Sequence, residues 1–493
     1  MKLRHLVHVI SLTLMAVSAA LAVTTVVAFL YGDGDDLAFM AATIIAAAAG
    51  YAGYRSTGIA RDLTVREGYA VVAFAWLTIG VMGAVPFLLA GVVDSPVDAL
   101  FESISGFTTT GATVFGDIEA LPHGILLWRS LTQWLGGMGI IVLGIAILPY
   151  LGVGGMQLFR AEVPGPTPER LQPRIAQTAK LLWYVYAGLT AAQVPLYLAG
   201  GLPVFEAVTH AFSTLSTGGF SPRSASIGAY DSAFVQYVTI LFMFVAGINF
   251  ALHYRAVASR GRVYLRDAEL RFYAALALSA AVFVAGLLLV SGHGSGAGAT
   301  GAAGVEETVR GALFQVVSIG TTTGFVTRDY ELWPLAAQLV LLGLMFVGGM
   351  SGSTGGGVKT VRVHVLVRHV VAELKRSMHP RAVVVTRVGS RVVGESVLLN
   401  VLGFLLLFLT LYAAGVLALA LLGHDLATAV GASAAAIGNI GPGLGAVGPV
   451  DHYGWMGPGS HLVLMVLMVA GRLELFTILL LFHPDLWRGV RWT

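Results

Sequence analysis

Ten long apolar windows run along the chain, at 6–30, 37–54, 69–93, 124–150, 181–202, 233–254, 272–291, 332–350, 397–422 and 461–482, joined by polar links. A helix needs about 20 apolar residues to cross a bilayer, so each window predicts a spanning helix. The first follows Lys2 and Arg4 as a signal peptide would, but its run is too long and a second span comes at once. Four shorter apolar stretches, 97–107, 203–215, 305–319 and 425–437, lie between spans. They are too short to cross and read as re-entrant segments. Each follows one span and leads through a Gly/Thr-rich stretch into another. A unit of span, short helix, loop and span thus occurs four times.

The loops themselves resemble one another. Residues 105–113 read Ser-Gly-Phe-Thr-Thr-Thr-Gly-Ala-Thr, 213–220 Ser-Thr-Leu-Ser-Thr-Gly-Gly-Phe, 318–326 Ser-Ile-Gly-Thr-Thr-Thr-Gly-Phe-Val, and 436–443 Ala-Ile-Gly-Asn-Ile-Gly-Pro-Gly. Gly111, Gly218, Gly324 and Gly441 are 107, 106 and 117 residues apart, a period that marks internal duplication. Two spans per unit make successive copies enter from the same side, which predicts parallel repeats about an axis along the membrane normal. Irregular backbone at membrane depth is tolerated where it lines a water-filled path or is buried in protein. A cation leaving water needs oxygens in place of its hydration shell, and rings of backbone carbonyls supply them. Glycine permits the dihedrals that turn consecutive carbonyls one way. Thr and Ser add hydroxyls without charge, and the C-terminal ends of the short helices add partial negative charge. Small-residue helix packing is the competing explanation for such glycines; four copies, each after a half-length helix, weigh against it.

The expected fold is therefore an all-α polytopic membrane protein: four parallel helix–pore helix–helix repeats around a pseudo-fourfold pore, plus two extra N-terminal transmembrane helices. The expected divisions are 1–64 for the N-terminal hairpin, then 65–176, 177–266, 267–391 and 392–493 for the four repeats. Composition agrees. Of 493 residues, 56% are hydrophobic and 11% charged, and the mean hydropathy of +0.81 excludes a water-soluble enzyme with a single core. Without cysteine there is no disulfide framework, thiolate metal site or thiol nucleophile. The 13 histidines lack metal spacing, and no catalytic constellation appears. Neither enzymatic activity nor an organic cofactor is expected.

Charge sets the orientation. An N-terminus inside places all but five of the 29 Lys and Arg on the cytoplasmic side, at Arg55, Arg61 and Arg66, Arg160 to Lys180, Arg255 to Arg271, Lys359 to Arg391, and the C-terminus. Arg129, Arg223, Arg310 and Arg328 remain outside, and Arg472 lies within a span. All four loops then open outward and both termini are cytoplasmic. The basic loops read as topology signals next to membrane lipid rather than as a nucleic-acid site. Asp117, Glu119, Asp329, Glu331 and Asp451 fall near the outer mouth, either concentrating cations or simply solvated.

Residues 348–357 read Gly-Gly-Met-Ser-Gly-Ser-Thr-Gly-Gly-Gly. A helix does not run through Gly348, Gly349, Gly352, Gly355, Gly356 and Gly357 when each costs about 1 kcal/mol relative to alanine. A flexible loop at mid-membrane, in or beside the pore, is expected. A phosphate-binding loop is the rival, but Val358 separates Gly357 from Lys359 and no strand precedes. Arg472, in Gly471-Arg472-Leu473-Glu474, costs about 2.5–3.5 kcal/mol at mid-span. Residues two apart point to different faces, so Arg472 is expected to face the pore or the glycine loop rather than Glu474; a structural ion pair with a neighbouring helix is the alternative.

At these residues the chain resembles the superfamily of potassium transporters that includes TrkH, KtrB and plant HKT proteins, from about residue 65 onward. The additional 6–54 pair resembles the TrkH branch. The resemblance implies a dimer of pseudo-fourfold pores in the inner (cytoplasmic) membrane. It implies a potassium filter of Thr109-Thr110-Gly111, Ser216-Thr217-Gly218, Thr322-Thr323-Gly324 and Asn439-Ile440-Gly441. Glycine at all four central positions goes with potassium in this superfamily, and serine in the first repeat with sodium. The fourth loop departs from the threonine pattern. Two residues past the central glycine stand Thr113, Phe220, Val326 and Gly443, where a potassium channel has a second glycine, so weaker discrimination is expected. The resemblance also implies that the 348–357 loop with Lys359 and Arg472 forms a gate, and that a cytosolic TrkA-like nucleotide-binding ring regulates potassium uptake. The alternative is a secondary transporter coupled to protons or sodium, a class that usually buries carboxylates at the midplane; here Glu474 is the main one.

Overall fold

The computed structural model describes residues 3–57, 65–146, 171–293 and 301–487. Arg61, Arg160, positions 147–150 of the fourth apolar window and the basic residues after 487 lie outside them. Six helices among the described residues are long and apolar enough to cross a membrane: Leu3–Tyr31, Asp36–Thr57, Gly68–Leu89, Gln177–Ala199, Ala268–Ser291 and Glu395–Leu421. The pair Ala233–Ala246 and Phe250–Val257, bent by 99°, would make a seventh. Side chains such as Val290, Val282 and Leu406 face outward from these helices. Lipid tails are as apolar as leucine, so exposure there is no liability and packing with polar contacts must hold the helices together.

Three windows that read as continuous spans are interrupted. The 233–254 window breaks at 247–249, where Gly247 ends one helix and the Asn249 side chain caps the next through the Ala251 N–H at 2.8 Å. The 332–350 window is helical only over Leu335–Met345. The 461–482 window divides into Pro458–Arg472 and Phe476–Leu481, because Glu474 and Leu475 take φ of 57° and 51°. Apolar windows register hydrophobicity, not helix continuity. A small antiparallel pair, Arg387–Val388 with Arg391–Val392, follows the Thr360–Met378 helix.

The four short stretches fold as the helices Pro96–Phe107, Val204–Leu215, Gly301–Gly320 and Leu426–Gly438; the third is longer than its apolar window. Ser95 and Asp425 cap the first and fourth through the N–H groups of Asp98 and Thr428. Each helix buries its C-terminal half almost completely. Apolar clusters join each helical set to the next. Phe314 and Phe325 pack with Tyr186, Tyr197 and Phe242; Ala434 and Ile440 with Leu341 and Val316; Phe101 and Ile104 with Phe404, Leu464 and Met468. A further cluster seats Leu21 and Phe39 of the N-terminal hairpin against Phe107 and Trp128.

Within that hairpin, Gly50 and Gly53 lie hard against Met15 and Ser11 of the opposite helix, the close approach that small residues allow. Its connecting turn holds the His123–Ala146 helix. Asp33 accepts from the His123 N–H at 2.8 Å and its ring at 2.6 Å, and buried Asp35 accepts from the Ile125 N–H at 3.1 Å. Carboxylates at a helix N-terminus satisfy orphan donors and complement the dipole. The His123 hydrogen bonds, backbone first, hold the Asp33 carboxyl below its ordinary range.

Candidate ion site and the loop beneath it

Each short helix ends in the same backbone turn. Thr109, Thr217, Thr322 and Asn439 take φ of 53°, 54°, 63° and 55°. The next residue donates its N–H back into the helix: Thr110 to Ser105, Gly218 to Ser213, Thr323 to Ser318 and Ile440 to Ala435, at 2.8–2.9 Å. The residue after that is Gly111, Gly219, Gly324 or Gly441, with φ of 82°, 80°, 78° and 97°. Left-handed backbone costs a residue bearing Cβ roughly 1–2 kcal/mol, so four such residues in register mark a geometry the surroundings impose.

This turn corrects the register of the second loop. The residue equivalent to Gly111 is Gly219, not Gly218, and the aligned triplet is Thr217-Gly218-Gly219 rather than Ser216-Thr217-Gly218. Ser216 instead takes the register position of Thr108 and Thr321, closing the last helical turn through a hydrogen bond to Phe212 O at 2.8 Å. Two residues past the glycine stands Ser221, not Phe220.

The loops close on one another as a ring. A Cβ on Gly111 would overlap the carbonyl oxygen of Gly218, one on Gly219 that of Thr323, and one on Gly324 that of Ile440; one on Gly441 would lie 2.8 Å from that of Thr110. The residue before each glycine thus lays its carbonyl against the glycine of the adjoining loop, and the contacts return to the first.

Behind the ring the braces differ. In the first loop Ser105 Oγ donates to Ala112 O at 2.6 Å, and the hydroxyls of Thr108 and Thr110 are 2.8 Å apart. The third repeats this with Ser318 to Phe325 O at 2.6 Å and Thr321 with Thr323 at 2.8 Å. In the fourth, the hydroxyls of Tyr453 and Tyr330 donate to Gly441 O and Gly443 O, both at 2.8 Å. The Asn439 amide donates to Met468 O at 2.9 Å and Thr110 Oγ1 at 3.0 Å. A buried ion pair fastens the first loop to the second: Arg129 Nε meets Glu102 at 2.7 Å and Nη1 donates to Ser221 O at 3.1 Å. Glu102 in turn accepts from the Val114 N–H at 3.0 Å. In the sequence Arg129 reads only as an outer topology residue, and Glu102, Tyr330 and Tyr453 belong to no motif. Glu102 and Arg129 are ionisable residues at apolar windows, and that was the available signal.

Of the five acids expected at the outer mouth, four are hydrogen-bonded into the loops. Glu331 accepts from the Gly445 N–H at 2.6 Å, Asp329 from that of Glu331 at 3.0 Å, and Asp451 from that of Gly448 at 3.2 Å. Glu119 accepts from the Ser224 hydroxyl and N–H. Burial alone would raise its pKa, but the Ser224 bonds and the field of Arg223 leave it below its ordinary value. Asp117 is exposed.

The glycine-rich segment lies against these turns at the ends of the short helices. The Gly356 N–H donates to Thr322 Oγ1 at 2.7 Å, and Thr354 Oγ1 donates to Leu215 O at 3.0 Å. A Cβ on Gly356 would overlap Gly438 O. The segment is cradled rather than slack. Its neck is closed by the Val358 and Lys359 N–H groups bonding to Phe346 O and Val347 O, at 3.1 and 2.8 Å. Met350 N–H reaches Gly247 O at 2.8 Å, and Gly352 O receives the Phe250 N–H at 3.0 Å, so the segment satisfies the backbone left open by the break at 247–249. Glu269 accepts from the Ser351 N–H at 2.8 Å, and Lys359 donates its ammonium to Gly355 O. Gly349 and Gly357 pack against Gly247 and Gly348, while Gly352 faces the Asn249 amide. Arg472 is buried, with Nη1 on Thr354 O at 2.7 Å and Nη2 on Gly136 O at 3.2 Å. It therefore holds the glycine segment, whereas Glu474 pairs with Arg362 at 2.6 Å.

Helices of this length and apolarity, packed around such loops, define a multi-pass membrane protein. The sequence matches the family described as TrkH, cation transport protein, over residues 36–488. It is 40% identical over 498 residues to the Trk system potassium uptake protein TrkH of Salmonella typhimurium, covering 99% of this chain and 100% of that one. The Escherichia coli protein of the same name is 39% identical with the same coverage. The crystal structure of the potassium transporter TrkH from Vibrio parahaemolyticus superposes with a TM-score of 0.90 at 38% identity, over 99% of this chain and 100% of that one. The chain belongs to the TrkH family of cation transport proteins.

Proposed function

We propose that this protein takes up potassium through the ring of Thr109–Gly111, Thr217–Gly219, Thr322–Gly324 and Asn439–Gly441, which acts as a selectivity filter at the centre of four parallel repeats. The closed sequence of glycine-to-carbonyl contacts carries this reading. Four loops held in left-handed backbone bring peptide oxygens together where an alkali ion can exchange them for water. The short-helix C-termini add negative potential. Potassium is the cargo, and its close relatives are potassium uptake proteins by name.

The 348–357 segment, with Lys359 and Arg472, serves as the gate. It lies against the ring, and the Arg472 guanidinium beside it opposes a queued ion. Regulation comes from a cytosolic nucleotide-binding ring of the TrkA kind docked on the basic inner face, with two copies of this chain forming the membrane unit. Ions enter inward across the cytoplasmic membrane, drawn by about 2.3 kcal/mol per charge per 100 mV. The carboxylates most suggestive of a coupled carrier are engaged, Glu474 with Arg362, Glu102 with Arg129 and Glu269 with the Ser351 N–H, which favours passive conduction.

Purified protein in potassium-loaded liposomes should take up rubidium in preference to sodium, with a reversal potential independent of pH. Gly111→Ser should raise the sodium share. Absence of flux for every alkali cation would overturn the filter, and a pH-dependent reversal potential would replace conduction by proton coupling.

A further inference from the structure

The second loop is built differently from the other three. At the position before the central glycine, Thr110 and Thr323 carry hydroxyls tied to Thr108 and Thr321, and Ile440 carries a side chain packed in an apolar cluster. The second loop has Gly218 there, with no side chain to anchor, followed at once by Gly219. It also lacks the serine brace of the first and third loops: Ser105 and Ser318 bond forward across their loops, whereas the equivalent Ser213 hydroxyl is buried without a partner; the fourth loop has Ala435 there and is held by Tyr453 and Tyr330 instead. Two consecutive glycines with neither internal brace leave this wall dependent on groups outside the loop, Arg129 on Ser221 O among them.

Gln133 fills the gap. It is fully buried on the His123–Ala146 helix, one turn beyond Arg129. Its Nε2 donates to Gly218 O at 2.7 Å and its Oε1 accepts from the Phe220 N–H at 3.0 Å. The carboxamide thus pairs with the backbone on both sides of Gly219, as a neighbouring strand would. A Cβ on Gly218 would overlap Gln133 Cδ, so this side chain occupies the space of the missing one. Gly218 O is also one of the four carbonyls that meet a neighbouring glycine. Among the described residues no hydrogen bond reaches its counterparts on Thr110, Thr323 and Ile440. The ring therefore has three unclaimed carbonyls in that tier and one already engaged.

We propose that Gln133 is a specificity-determining positioning residue, whose carboxamide braces the Gly218–Phe220 wall of the ring and sets how that wall meets a dehydrated cation. The inference rests on the filter reading above. A wall held at fixed reach favours the ion whose size matches it. A wall free to move closes on a smaller ion as readily, so loss of the brace costs preference before it costs conduction.

The test is the rubidium-to-sodium flux ratio in liposomes for the full-length protein and two variants. Gln133→Leu keeps the bulk and removes both bonds; its ratio should fall about five-fold, the worth of one ordinary hydrogen bond, with total cation flux retained. Gln133→Glu reproduces donor and acceptor only while its carboxyl is protonated, a state that burial favours. Its ratio should match wild type at mildly acidic pH and decline as pH rises, while the wild-type ratio stays flat. A folded Gln133→Leu protein with the wild-type ratio overturns the proposal and leaves the filter reading standing. Should that variant not fold, a Gln133→Glu ratio that is flat with pH overturns it and a sloping one supports it. If wild type passes no alkali cation, both readings fall together.

Discussion

A single methyl group is the finest probe of both the ring and the segment beneath it. Gly348 has φ of 76°, and a Cβ there would overlap Gly356 O across the neck of the glycine segment. Gly348→Ala therefore strains the packed segment by about 1–2 kcal/mol while leaving the ring untouched. If the segment obstructs conduction, basal rubidium flux should rise up to about ten-fold with no change in ion preference. Unchanged or lower flux would remove the segment from the gating role. The same scale shows where sequence reading stops. Thr-Thr-Gly in the first and third loops is legible because residue type and backbone demand coincide. In the second, Ser-Thr-Gly-Gly offers two glycines and two candidate threonine-like positions, and only the left-handed φ of Thr217 decides between them. Gln133 was invisible for a related reason: its partners are peptide groups 85 and 87 residues away, and peptide groups have no sequence.

Among the elements, the short helices were the easiest to anticipate. Their apolar stretches are of the wrong length to span and are bounded by Ser95, Pro203 and Asp425 at their starts. The breaks at 247–249 and 473–475 were not anticipated. Both interrupt strongly apolar runs, and a break is stabilised by what packs into it: the glycine segment at the first, the Arg362–Glu474 pair beside the second. The N-terminal hairpin contributes by its turn as well as its length. Asp35 caps the first turn of the helix that presents Arg129 and Gln133 to the loops. Asp35→Ala should cost about 1 kcal/mol, read as an earlier melting midpoint in detergent. A midpoint equal to wild type would mean that Asp35 adds nothing to the docking that Asp33 and the apolar face supply.

Over the whole molecule, the spacing of the four glycine loops is legible in the sequence, while the contacts between distant segments have no counterpart in any linear pattern. Phe101 packing with Phe404, Ile440 with Leu341, and Arg129 bonding to Ser221 each join parts of the chain that are far apart in sequence. The break at 247–249 reaches furthest. Gly247 O and the Phe250 N–H find their partners in Met350 and Gly352, on the segment proposed to withdraw. Withdrawal orphans both groups, along with the Thr322 hydroxyl, and each costs about 1–3 kcal/mol if left dry. On the proposed gating, opening would be a wetting transition: the space vacated would have to be flooded as it forms. Osmotic stress from a polymer too large to enter should then slow turnover at a fixed potassium gradient without altering rubidium over sodium. A rate indifferent to osmolality would mean that the protein itself re-pairs those groups.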